Sequence, residues 1–246
     1  MKPKRMISLL LCLSVALSLT ACVEGPLAKS SANKATTTPE TTTEVTTEAT
    51  TEQTTAETLP IPCPEKPGLY LYPETQTTVS VKLDINGKIT VSEPLYEDGW
   101  TVTADPDGRL TDTAGRTWDY LFWEGITNFV PQTEVGYCVA GEDAAEFLAQ
   151  QLPLWGLQGK EIDEFIEYWL PVMEANPWQI VTFNDPGYLN AVTYTIAPMP
   201  DRLIQVFMML IPVDEPINLT PPTLPTAEEL SREGYVAVEW GGALYQ

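Results

Sequence analysis

Three features of the chain predict an α+β fold, a mainly antiparallel and sandwich-like β-sheet with a central pair of helices. Strand-like alternation lies on both sides of the middle of the chain, helical periodicity is confined to residues 142–176, and no βαβ unit repeats. Strands joined by tight turns instead of helical crossovers pair antiparallel.

The elements follow in order. TTVSVKLDI (77–85) places Val79, Val81, Leu83 and Ile85 on one face, and Asn86–Gly87 predicts a hairpin into KITVS (88–92). WTVTAD (100–105) reads as a third strand, DPDG (105–108) as a turn, RTWDYLFWE (116–124) as a longer strand, and GYCVAG (136–141) as another. EDAAEFLAQQL (142–152) groups Ala144, Phe147 and Leu148 at helical spacing and ends near Gly156. KEIDEFIEYWLPVMEAN (160–176) lines up Ile162, Phe165, Ile166, Trp169 and Met173, with Pro171 expected to kink its last turn. WQIVTFN (178–184), AVTYTI (191–196) and RLIQVFMML (202–210) return to strand. A proline-rich crossing and a short AEEL turn (227–230) lead to the last strand, GYVAVEW (234–240).

The N-terminal end predicts a destination. MKPKRM is basic, the apolar run that follows is too short for a comfortable span, and LTAC closes it. Small residues before a cysteine are what a lipoprotein signal peptidase requires, so residues 1–21 read as a signal peptide and Cys22 as the lipidated residue. The apolar run at 203–212 is too short to cross a bilayer, so the membrane is met through the lipid anchor alone. Residues 22–34 form an anchor-proximal segment. Residues 35–60, dominated by Thr and punctuated by Glu, have little to bury and are expected to be a disordered tether, with O-glycosylation an open question. Residues 61–246 are expected to fold as a single domain.

Charge and composition exclude more than they name. The net charge is −21 and there is no histidine. An acidic chain repels phosphate backbones, so nucleic acid is not an expected partner. Without histidine, Ser-His-Asp and Cys-His nucleophiles and His-bearing zinc sites cannot be built. No cofactor is expected. Of the four cysteines, Cys12 leaves with the signal and Cys22 carries lipid, which leaves Cys63 and Cys138. An extracytoplasmic setting permits a disulfide between them, and two separate buried thiols are the alternative.

KPGLYLYPE (66–74), TVSVKL (78–83), YLFWEG (120–125), FIEYWLPVME (165–174) and VEWGG (238–242) together resemble an uncharacterised domain family of secreted and surface-attached bacterial proteins. Gly68 stands where that family usually has valine. The resemblance implies a domain unit and a surface context; it implies no activity, substrate or catalytic residue.

Asp119, Glu124, Glu174 and Glu239 stand among aromatic residues, and Glu124 and Glu239 each adjoin a tryptophan and precede or closely precede glycine. A glycosidase needs two carboxylates facing one bond, which makes Glu124 and Glu239 the candidate catalytic pair. Strand alternation argues against it, because neighbours in a strand face opposite ways. DPDGRLTD (105–112) resembles part of a calcium loop, yet Arg109 and Arg116 occupy positions that need oxygen ligands, so no metal site is expected. Tyr70 and Tyr72, and Trp155 and Trp178 near element ends, are candidate ligand contacts.

The expectation is a lipid-anchored protein at the extracytoplasmic face of the cell membrane that displays a binding or interaction domain. Its partner would be an envelope glycan or a surface protein. The alternatives are a carboxylate-dependent glycan hydrolase and a structural envelope component.

Overall fold

Burial alternates strictly along Thr77–Ile85 (β2), where Val79, Val81 and Leu83 point inward between exposed polar residues. The same device builds most of the molecule. A computed structural model describes residues 65–245, and they form an α+β architecture of mainly antiparallel sheet. The strands before the helices are Glu65–Tyr72 (β1), β2, Gly87–Glu93 (β3), Trp100–Ala104 (β4), Leu110–Asp112 (β5), Thr117–Trp118 (β6), Leu121–Thr127 (β7) and Tyr137–Ala140 (β8). A 3₁₀ turn leads into helix α1 (Ala144–Leu154) and then α2 (Lys160–Glu174). Strand β9 (Trp178–Phe183), a short helix α3 (Pro186–Ala191), and strands β10 (Val192–Ala197), β11 (Arg202–Val213) and β12 (Val236–Leu244) complete the described chain.

Seven strands form one sheet in the order β3-β7-β1-β12-β11-β9-β8, and five form a second in the order β10-β2-β4-β5-β6. Within these sheets pairing is antiparallel except between β11 and β12, and an isolated parallel bridge joins Val135 to Thr220. One face of the larger sheet, with Leu69, Leu71, Leu121, Trp123, Phe207 and Met209, packs on the smaller sheet. Its other face, with Tyr70, Val206, Met208, Val238 and Trp240, packs on Leu148 and Leu152 of α1 and Phe165, Trp169 and Met173 of α2. The expected apolar stripe of 160–176 is thus the buried side of α2, which continues through Pro171 to Glu174.

Two expected connections are corrected. Asn86–Gly87 does not close a hairpin: β2 belongs to the smaller sheet, whereas β3 pairs with β7 in the larger one. The Asn86 N–H donates to Ala191 O at 2.7 Å and its carbonyl accepts from Asn128 N–H at 2.9 Å, so the turn residues are engaged elsewhere. The expected strand 116–124 is likewise two strands. Trp118 stays with the smaller sheet, its Nε1–H donating to Asp112 Oδ2 at 3.1 Å, while Leu121 begins β7 in the larger sheet. Helix α3 was not expected, although its signal is present. Asp185 caps it by accepting the Gly187 N–H at 2.7 Å, and Pro186 opens its first turn.

Candidate functional site

The two candidate catalytic carboxylates do not meet. Leu69 of β1 stands opposite both Leu121 and Glu239, and Gly68 stands opposite both Phe122 and Trp240. Cross-strand partners share a face, and alternation puts Glu124 with Phe122. Glu239 therefore faces the smaller sheet, and Glu124 faces the helices. A carboxylate pair across one glycosidic bond is not formed by these residues.

Glu239 is fully buried and belongs to a polar cluster. Its Oε1 accepts from the Tyr188 hydroxyl at 2.6 Å and the Tyr194 hydroxyl at 3.1 Å, and its Oε2 accepts from Gln205 Nε2 at 3.1 Å. Trp123 Nε1–H donates to the Tyr194 hydroxyl at 2.8 Å. Burial raises the carboxyl above its ordinary value, against the pull of the three donors. Burial and the neighbouring Glu239 also hold both tyrosines well above the usual phenol value.

On the helix side the chemistry is cationic. Lys66 has φ +52° at a β-bulge, and its Nζ lies 5.7 Å from the Tyr120 ring centroid, 5.5 Å from Tyr168 and 5.9 Å from Trp240. Burial lowers its ammonium below the ordinary value, while Glu164, Glu167 and Glu124 oppose that shift. Tyr70 is fully buried here and its hydroxyl donates to Glu164. Burial pushes the Tyr120 phenol up to about 12. This group is assembled from side chains of the chain itself.

The remaining candidates divide. Tyr70 and Tyr72 share a face as expected, their rings 6.3 Å apart and nearly parallel. Tyr70 offers no surface, however, and half-buried Tyr72 lies against Gly108, where an added Cβ would meet Tyr72 Cδ1 at 3.0 Å. Trp155, a candidate ligand contact, is instead buried with its ring 5.1 Å from Phe183. The glycines beside the Glu–Trp pairs are also filled from within. A Cβ on Gly241 would meet Pro67 Cα at 2.9 Å, and one on Gly242 would meet Trp169 Cζ2 at 2.6 Å. The close approach that glycine permits is used by protein, not left for a ligand.

Trp178 and Cys138 are brought together. With Phe147, Asp143, Glu146 and Gln150 they line a half-open groove of about 280 Å³ between β8 and α1. Gln150 Nε2 donates to Glu146 Oε1 at 2.9 Å, and the Phe147 ring is steadied edge-on by Tyr137 at 5.2 Å. The Cys138 thiol accepts the Ile217 N–H at 3.3 Å. Cys63 and Cys22 lie outside the described residues, so the bridge and the lipid anchor remain expectations. Among the described residues no three carboxylate or thiol groups gather for a metal ion. In the DPDG region the arginines neutralise the acids instead, Arg109 Nη2 lying 2.9 Å from Asp105 and Arg116 Nε 2.7 Å from Asp112. Among the described residues no helix is long and apolar enough to cross a membrane.

Comparison with known proteins adds one relative. A 63-residue stretch, 24% of this chain, is 49% identical to a protein of Butyrivibrio fibrisolvens described as an uncharacterized protein in the bglA 3' region. The match spans 65% of that protein, less than two thirds of its length. No family model matches the chain, and no solved structure matches it.

Proposed function

We propose that the protein is a lipid-anchored binding domain at the extracytoplasmic face of the membrane, and that the Trp178 groove takes a sugar residue of an envelope glycan. The observation that carries this reading is the lining of that groove. Two half-buried aromatic rings, Trp178 and Phe147, stand beside the hydrogen-bonding groups of Asp143, Glu146 and Gln150. Aromatic rings stack on the apolar faces of pyranoses, and carboxylates and amides bind the hydroxyls around the rim. At about 280 Å³ the groove falls just below the range of roughly 300–1,000 Å³ typical of small-molecule pockets, a size for a single ring. The signal-like N-terminus, Cys22 and the Thr/Glu tether support display away from the lipid.

Two experiments test the reading. Glycan-array binding of the full chain should be lost in Trp178→Ala and in the Asp143→Asn/Glu146→Gln double variant, with thermal stability nearly unchanged. Undiminished retention by both variants would remove this groove from the function. Separately, Cys22→Ala should move the protein from the membrane fraction to the soluble one; unchanged fractionation would sink the anchor.

A further inference from the structure

Strand β11 is paired on one side along Arg202–Leu210, but β9 covers its other side only from Met208 onward. Where β9 ends, Asn184 takes a left-handed turn at φ +54° and the chain leaves for α3. Its N–H donates to Phe207 O at 2.8 Å, its Oδ1 accepts the Phe207 N–H at 2.9 Å, and its Nδ2 donates to Gln205 O at 2.8 Å. One side chain thus imitates the next rung of the ladder and then stops.

In a strand, the N–H and C=O of alternate residues point to the same side. Phe207 faces the β9 side, so Gln205 and Leu203 face it too. Among the described residues nothing takes the Gln205 N–H or the N–H and C=O of Leu203. These groups lie in a groove of about 630 Å³ bounded by Leu189 of α3 and by Glu228, Glu229 and Leu230 of the loop before β12. Leu203 is 36% exposed. The groove is therefore a short length of unpaired strand edge with apolar walls.

We propose that this edge is a strand-addition site that takes an extended peptide segment of a partner protein. Backbone groups of the incoming segment would pair with Leu203 and Gln205, continuing the ladder that Asn184 terminates, and an apolar side chain would lie against Leu189, Leu203 and Leu230. Charge sets the preference. The Arg202 guanidinium donates to the Glu228 and Asp201 carbonyls and lies 3.9 Å from the Glu228 carboxylate, so that pair is neutral. The Glu229 carboxylate, which accepts the Thr226 N–H and hydroxyl, keeps its negative charge at the rim with no cation beside it among the described residues. With a chain charge of −21 behind it, it favours a segment carrying a basic residue. This site lies apart from the Trp178 groove, and neither reading depends on the other.

The test uses the full chain and three labelled peptides: Ac-Lys-Val-Thr-Val-Lys-NH2, its counterpart with Glu in place of both Lys, and the basic peptide N-methylated at alternate residues. Fluorescence anisotropy should rank the basic peptide first. N-methylation removes the peptide N–H that would donate to the Leu203 C=O, and one lost backbone hydrogen bond should weaken binding by about two- to ten-fold. Hydrogen exchange at Leu203 and Gln205 should slow with the basic peptide and not with the N-methylated one. Because the protein is unchanged throughout, misfolding cannot imitate the result. Equal binding of the methylated peptide, preference for the acidic one, unchanged exchange at these two amides, or self-association of the chain through this edge would each overturn the proposal.

Discussion

Strands β7 and β12 each carry a glutamate beside a tryptophan, in the orders Trp123–Glu124 and Glu239–Trp240, and the reversed order decides what each residue does. In β7 the tryptophan faces the smaller sheet and the glutamate the helices; in β12 the assignment is the opposite. Each glutamate therefore works with the tryptophan of the other strand. Trp123 reaches Glu239 through the Tyr194 hydroxyl. Trp240 and Glu124 both act on Lys66, whose ammonium lies 5.9 Å from the Trp240 ring and whose charge is favoured by Glu164, Glu167 and Glu124. Identical local pairs become one buried acid cluster and one caged cation. Residues adjacent in a strand are the ones least able to cooperate, and chemistry is shared across the sheet instead.

Glu239→Ala has the largest expected effect. It leaves Tyr188, Tyr194 and Gln205 without their shared acceptor in the interior, and should lower stability by about 3–5 kcal/mol, read from the urea midpoint. Lys66→Ala removes the cation from three rings but also relieves a half-buried charge, so a loss of about 1–2 kcal/mol is expected by the same measurement.

Acidity separates the two sides further. The Glu239 carboxyl is raised in the fold above its reference of 4.5, because burial disfavours the anion. Its contribution is present in full below 4.5 and is lost as pH rises toward the raised value, since the unfolded chain releases that proton first. Urea midpoints between about pH 4 and about pH 8 should show this decline, and Glu239→Gln, which cannot ionise, should flatten it. An unchanged slope in that variant would remove Glu239 as its source.

The smallest effect is the sharpest test of the crossed pairing. A double-mutant cycle of Trp123→Phe with Glu239→Gln should give a coupling of about 0.5–1 kcal/mol through Tyr194. The cycle of Trp123→Phe with Glu124→Gln, its immediate neighbour, should give about zero. Reversed values would show that sequence adjacency, not shared facing, joins these groups.

Alternation and helical stripe in the chain determined most of the elements, the inward face of α2 and the opposed facing of each Glu–Trp pair. Those are local properties, set by backbone periods of two and 3.6 residues that any reader of the chain can count. Helix α3 was legible too, in Asp185–Pro186, as a cap followed by a first-turn proline. Tertiary structure alone decided which sheet each strand joins. Asn86–Gly87 favours a hairpin locally, yet bonds to Ala191 and Asn128, and residues far apart in the chain prevailed over the turn. It also decided that Trp155 is covered while Trp178 lines a groove, although both stand at element ends, because exposure depends on what packs above a residue. Glu239 makes the same point: its carboxyl is surrounded by Tyr188, Tyr194 and Gln205 from three other elements, and only the folded chain brings those donors to one acid.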